Sequence, residues 1–265
     1  MRLSEHLCLA VNHLFPKRKI EGRGAPGTYS QAQYAWAEKN FRLFASSVDL
    51  TDKVVLDAGC GPGGKTLFYA RKGCRSIIGV DLDPVRIGHA QAFLKEHPVG
   101  NVSFRVADLS KLDFAADSFD VIFLNDVFEH IDRPLLEQVL RELKRVLKPG
   151  GTICMEFPPW TSFDAGHLYD HIHIPWCQLI FSDRTLVNVL KHMDAQGPMI
   201  GSSSVIEHFL ELNRITIPEA RSLFEQLTFD IRVFRYERIK GIALFAWWPW
   251  LDARLTRRVV AVLSK

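Results

Sequence analysis

The sequence predicts an α/β fold: a mostly parallel, doubly wound sheet with helices on both faces. Three observations carry this. Short apolar runs alternate with helical patterns over about 100 residues, at 53–57, 76–81, 102–107, 119–124 and 152–157. The first run ends in a glycine-rich loop, where open sheets of this kind receive ligands. The chain has 265 residues, 47% of them hydrophobic and 24% charged, which suits a full core and excludes a disordered chain, a coiled coil or a small disulfide scaffold.

Each element has a local reason. Leu3, Leu7, Val11 and Leu14 fall at helical spacing, so residues 3–15 are expected to be a helix. A Gly- and Pro-containing loop follows at 21–29, and residues 30–48 read as a second amphipathic helix. Residues 53–57 (KVVLD) form a buried strand, and residues 66–72 a helix ending at Gly73. Residues 76–81 are the second strand, and Pro84 opens a helix to residue 96. Strands at 102–107 and 119–124 precede a helix at 133–147, stopped by Pro149-Gly150-Gly151 before the strand at 152–157. Residues 158–204 break the rhythm with four prolines and a histidine and tryptophan cluster, and read as an insertion over the C-terminal edge of the sheet. A helix at 218–226 and a late strand at 229–237 complete the pattern. The expected organisation is a helical lid at 1–50, a ligand-binding core at 51–157, a substrate-capping insertion at 158–204 and a C-terminal completion at 205–265.

The formal charge of +3 hides a distribution. Residues 51–231 are net −6, while residues 1–50 are net +3 and residues 232–265 net +6. Five cysteines with no C-x-x-C pair suit a reduced, cytoplasmic setting. No apolar run is long enough for a spanning helix. The basic end carries Trp247, Trp248 and Trp250, and Leu251, Leu255, Val259 and Leu263 share a helical face. Residues 242–265 are therefore a candidate for peripheral contact with the inner face of a membrane; the competing reading is a helix packed on the domain, with the tryptophans in the acceptor pocket or a homodimer interface. No nucleic-acid partner is expected, since no RNA-binding module surrounds these cations.

The loop Asp57-Ala58-Gly59-Cys60-Gly61-Pro62-Gly63-Gly64 fits both G-x-G-x-x-G and D-x-G-x-G-x-G. Glycine is needed where the backbone turns sharply and a ligand approaches without meeting a Cβ. Asp81 and Asp108 close the next two strands, placed for ribose hydroxyls and an adenine amine, and Leu82 and Leu109 can sandwich the base.

DAGCGPGGKT, GVDLDP, VADLSKLDF, SFDVIFLNDVFEHI and ELKRVLKPGG together resemble, in order and spacing, the motifs of class I S-adenosylmethionine-dependent methyltransferases, in particular the small-molecule branch. The resemblance covers roughly residues 50–157 and implies a Rossmann-like core with S-adenosyl-L-methionine as cofactor. It implies that Gly59, Gly61 and Gly63 approach the methionine part, that Asp57 helps to hold its ammonium through water, that Asp81 binds ribose and Asp108 the adenine amine, and that Asn125 offers its backbone carbonyl near the methionine or the transferred methyl. A small-molecule methyl acceptor follows, a sugar, secondary metabolite or lipid-linked compound, with O-methylation expected. The competing readings are a nicotinamide-dependent oxidoreductase using G-x-G-x-x-G, and a binding module that keeps the fold without catalysis.

Candidate bases lie in two places. Asp126, Glu129 and His130 follow the fourth strand, and Glu129-His130 resembles a pair common in the branch. His167 and His171 lie in GHLYDHIHIPW, which resembles a stretch from methyltransferases of cell-surface polysaccharide and related pathways. The spacing of His167, His171 and His173 is not a usual zinc pattern, so no metal is expected. Tyr29, Tyr34 and Trp36 are candidates for the acceptor pocket.

Overall fold

The computed structural model describes residues 1–17, 26–195, 204–239 and 253–265. Its centre is a seven-stranded sheet: β1 (Val54–Ala58), β2 (Ser76–Asp81), β3 (Val102–Val106), β4 (Phe119–Asn125), β5 (Leu147–Phe157), β6 (Asp230–Arg238) and β7 (Thr256–Ser264), in the order β3-β2-β1-β4-β5-β7-β6. β1 to β5 pair in parallel, and β7 is antiparallel to both β5 and β6. The chain winds outward from β1 to β3 and then returns to lay β4 on the other side of β1. That reversal opens a crevice at the strands' C-terminal ends.

The helices are α1 (Leu3–Asn12), α2 (Pro26–Phe41), α3 (Gly64–Ala70), α4 (Pro84–Glu96), α5 (Leu136–Val146), α6 (Cys177–Ile180), α7 (Asp183–His192), α8 (Val205–Leu210) and α9 (Ile217–Gln226). Local chemistry sets several of their starts. Asp83 accepts from the Val85 amide at 2.8 Å before α4, with Pro84 in the first turn. Thr216 and Glu219 form a capping box on α9. α5 and α9 cover one face of the sheet, and α2 and α3 cover the other.

Double coverage explains the C-terminus. Val259, Ala261 and Leu263 of β7 join the core under α5 and α9, while Val260 and Val262 join the core under α2 and α3. Both faces are apolar because both are buried, so the run VVAVL carries no alternation. The shared helical face expected within residues 242–265 is thus overturned where the segment is described: Leu255, Val259 and Leu263 are buried, and Thr256–Ser264 is an interior strand. The three tryptophans lie at 247, 248 and 250, outside the described residues. Among the described residues, no helix is long and apolar enough to cross a membrane. All five cysteines are free and buried.

Other boundaries also differ from expectation. α2 begins at Pro26, inside the expected loop, and ends at Phe41, after which residues 42–47 are turns. α3 starts at Gly64, because Gly63 is its left-handed N-cap with φ +80°. β5 starts at Leu147, because Leu147 still pairs with Phe119 while Thr152 pairs with Val121; residues 148–151 bulge between these pairs.

The insertion has its own small core. Leu168, Ile172, Ile174, Leu186, Val189 and Leu190 pack with Cys8 of α1 and with Val205 and Phe209 of α8. Asn188 donates to Glu5 at 2.7 Å, and the Asn12 amide donates to the His171 carbonyl at 2.8 Å, so α1 sits with the insertion and away from α2.

Candidate active site

The crevice above β1 and β4 holds a cleft of about 680 Å³. One wall is the glycine loop. A Cβ on Gly59 would lie 2.4 Å from a Val127 methyl, at φ +74°, so only glycine lets the β1 loop and the β4 loop meet. Gly61 also has a positive φ, but a Cβ there would meet nothing nearer than Gln33 Nε2 at 3.7 Å. The Gly61 amide donates to Asp81 Oδ2 at 2.9 Å, so Asp81 holds the loop closed from β2.

Beneath the loop, Asp57 is buried and accepts from the Thr66 hydroxyl at 2.6 Å. Burial pushes its carboxyl up to about 6, against the Thr66 bond and the Lys65 ammonium. Asn125 donates to the Tyr69 hydroxyl at 2.9 Å, and its buried Oδ1 has no hydrogen-bond partner. A buried carboxylate and an orphaned carbonyl suit a ligand that brings a cation and N–H donors, such as an α-ammonium group.

A four-residue ion cluster forms the floor. Lys65 Nζ lies 2.9 Å from Asp126 Oδ2 and 3.9 Å from Glu156 Oε1. Arg258 Nη1 lies 2.7 Å from Asp126 Oδ1 and 3.0 Å from Glu156 Oε2. Asn40 of α2 donates to Glu156 Oε1 at 2.6 Å. Burial opposes the charge on Asp126, but Arg258 and Lys65 outweigh it and hold its carboxyl well below the usual range. Glu156 is wholly buried, and that burial raises its pKa despite Arg258.

The opposite wall is histidine. His130 ends the 3-10 turn after β4, His167 sits in the insertion, and His208 comes from α8. The His130 ring centroid is 4.9 Å from that of His167 and 4.4 Å from that of His208. Burial and the two neighbouring imidazoles hold His130 well below its ordinary pKa, so its ring is neutral. Asn213 pins this turn: its side-chain amide donates to the Phe128 carbonyl at 2.6 Å and the Ile131 carbonyl at 3.0 Å, and its backbone amide donates to the Glu129 carbonyl. Asp126 and His167 both take left-handed backbone, with φ +56° and +54°. Such strain at non-glycine residues collects where surrounding structure holds side chains for a task.

The cleft therefore brings together Asp57, Gly59, Gly61, Asn125, Asp126, His130 and His167, with Tyr29 and Trp36 from α2. Gly63, Asp81, Leu82, Asp108, Leu109 and His171 are not among its lining residues. A Cβ on Gly63 would point instead into Phe104 and Ala90, at 2.7 and 2.8 Å, so this glycine serves the packing of α3 on α4 and β3. Asp81 and Asp108 both cap their own turns, through the Asp83 and Ser110 amides, and Leu82 is 69% exposed beside them. His171 lies outside because residues 168–171 turn without forming a helix, so it and His167 share no face; its place is taken by His208. Tyr34 packs on Phe68 and under Arg71.

Sequence reasoning missed Lys65, His208, Asn213 and Arg258. Lys65 had a signal, as the first charged residue after the glycine loop. Arg258 was hidden among the basic residues of the tail. His208 and Asn213 are single polar residues that only the tertiary fold brings to the site.

Comparison with known proteins bears on this arrangement. Residues 55–151 match the family model described as a methyltransferase domain. The chain carries a class I S-adenosylmethionine-dependent methyltransferase domain. Outside the domain the similarity thins. An uncharacterised methyltransferase of Schizosaccharomyces pombe is 36% identical over 138 residues, 48% of this chain and 48% of its own length. Phosphoethanolamine N-methyltransferase 3 of Arabidopsis thaliana is 36% identical over 115 residues, 42% of this chain and 22% of its own. The chain thus spans half or less of these relatives. The fold continues further: a structure described as an S-adenosylmethionine-dependent methyltransferase from Mesorhizobium loti superposes with a TM-score of 0.56, covering 86% of this chain and 98% of that one at 17% identity. The methyltransferase domain accounts for the glycine loop and β4; the histidine wall lies largely beyond the matched residues.

Proposed function

We propose that this chain transfers a methyl group from S-adenosylmethionine to an oxygen of a small polar acceptor. The observation that carries the reading is one continuous cleft joining the glycine loop, Asp57 and Asn125 on one side to His130, His167 and His208 on the other. When bound, the cofactor supplies a methyl group already activated by its positive sulfur. Asp57 and the Asn125 side-chain carbonyl would take its ammonium, and Gly59 and Gly61 would let its chain lie against the backbone. Asp81 and Asp108 stand at the ends of the next two strands and would take the ribose and the adenine amine.

The protein's remaining work is alignment, and placing two reactants in line can contribute about 7–11 kcal/mol. Trp36 and Tyr29 line the same cleft, where the neutral His130 ring and His167 would face the acceptor oxygen. A sugar, secondary-metabolite or lipid-linked hydroxyl fits a wall of imidazoles flanked by Arg86, Asp164 and Arg257. The relatives named phosphoethanolamine N-methyltransferase match 42% of this chain or less, so the acceptor chemistry rests on the cleft.

The test is turnover of methyl-labelled S-adenosylmethionine with fractionated extracts, separating lipid from aqueous product. Label in an acid-stable, hydroxyl-derived ether is the expected product. Label on nitrogen or carbon would replace the O-methyl reading, and calorimetric binding of NAD in place of S-adenosylmethionine would reject the whole reading.

A further inference from the structure

The histidine wall has a property that methyl transfer by itself does not demand. His130, His167 and His208 come from three different segments, and one ring nitrogen of each lies within 4.8 Å of the others. His167 Nδ1 is 3.5 Å from His208 Nε2. Two nitrogens bound to one tetrahedral zinc at ~2.0–2.1 Å stand roughly 3.4 Å apart, so these rings need only small rotations to share an ion.

Glu129 lies behind them. Its side chain is 4% exposed, and neither carboxylate oxygen has a hydrogen-bond partner. Its Oε1 lies 3.7 Å from His130 Nε2 and 3.9 Å from His167 Nε2. His167 thus turns one nitrogen toward His208 and the other toward a carboxylate. Histidines that hold a metal characteristically give their second N–H to a carboxylate, which fixes the tautomer and raises ligand basicity.

Charge points the same way. Lys65 and Arg258 are matched by Asp126 and Glu156, and no Lys or Arg side chain forms an ion pair with Glu129 among the described residues. A buried carboxylate without a hydrogen-bond partner is costly unless a cation or protons compensate it.

We propose that His130, His167 and His208 bind one divalent transition-metal ion of the zinc class, oriented by Glu129, with the fourth position open to an oxygen ligand in the cleft. Three imidazoles favour zinc, cobalt, iron or nickel over magnesium or calcium, and three protein ligands with an open position is the arrangement of sites that bind water or a hydroxyl. The site shares the cleft with the proposed acceptor, but metal binding is measured without S-adenosylmethionine, so either reading can fail without the other.

The experiment is a Co²⁺ titration of the full chain after chelator treatment, followed by visible absorption, with Zn²⁺ stoichiometry by elemental analysis after dialysis. One equivalent per chain and the intense visible bands of tetrahedral cobalt are expected. His208→Ala and His208→Gln should each weaken binding at least 100-fold, and Glu129→Gln about 10- to 100-fold. His192→Ala, on the exposed end of α7, should bind as the wild type does. Circular dichroism and a thermal melt identify a variant that has lost its fold, and His208→Gln keeps a polar side chain of similar length. Absence of cobalt bands in the folded wild type, or binding unchanged by both His208 variants, would overturn the proposal.

Discussion

Replacing Arg258 with methionine tests the ion cluster directly. In the native cluster two cations, Lys65 and Arg258, face two carboxylates, Asp126 and Glu156. Arg258→Met leaves Lys65 alone against both. Glu156 is 0% exposed and loses a guanidinium 3.0 Å away. At an effective dielectric constant of about 20 that contact is worth about 5 kcal/mol of Coulomb energy before the desolvation of Arg258 is returned. Asp126 counts for less, because its side chain is 36% exposed. Removing one partner of a buried pair typically costs about 3–5 kcal/mol, which for a chain of this size lowers the melting temperature by about 6–10 °C. Methionine matches the arginine stem in volume, so packing in β7 is largely kept. Adding Glu156→Gln restores one cation to one carboxylate and keeps an acceptor for Asn40. The double variant should therefore recover at least half of the loss. The assay is chemical denaturation of all four members of the cycle at pH 7.5 and pH 5. The single variant should lose less at pH 5, where the unpaired carboxylate takes up a proton. An Arg258→Met variant within about 1 kcal/mol of wild type, or a double variant no more stable than the single, would refute this account of the cluster.

Other outcomes follow from individual contacts. The Asp57 carboxyl is raised to about 6 from an ordinary 3.8, so the folded chain holds a proton there that the unfolded chain releases. Its contribution to stability is intact below pH 3.8 and falls by about 3 kcal/mol as pH rises through 6; subtracting the pH profile of Asp57→Asn from that of wild type should isolate this slope. S-adenosylmethionine should accordingly bind more tightly at pH 7.5 than at pH 5, with proton release in calorimetry that Asp57→Asn abolishes. His167→Ala should lower turnover with little change in cofactor affinity, and equal loss of both would make the loop structural. Asn213→Ala leaves the Phe128 and Ile131 carbonyls without a donor that reaches them at 2.6 and 3.0 Å, and should cost about 1–3 kcal/mol in a denaturant melt. Gly63→Ala forces φ +80° on alanine and a Cβ 2.7 Å from the Phe104 ring, so it should destabilise the chain by at least 1 kcal/mol.

The cofactor half of this protein was legible because its determinants are local. Glycines in one turn, acids at strand ends and apolar runs bounded by turn residues all act within a few residues of chain, and β1 to β4 and α4 stand where those signals placed them. The C-terminus was misread for a reason equally local. VVAVL is apolar on every side, and without alternation a strand buried on both faces cannot be told from a helix; only its position between β5 and β6 reveals it as interior sheet. The other wall of the cleft had no local code at all. His130, His167 and His208 are separated by 37 and 41 positions and meet because α8 folds back over the insertion, and Arg258 reaches Asp126 across 132 residues because β7 lies beside β5. Backbone turns and strand ends are written in neighbouring residues, so the sequence alone determined the parallel strands β1 to β4 and the glycine loop. The pairing of charges and imidazoles depends on distances through space, so the tertiary structure alone decided what faces the acceptor.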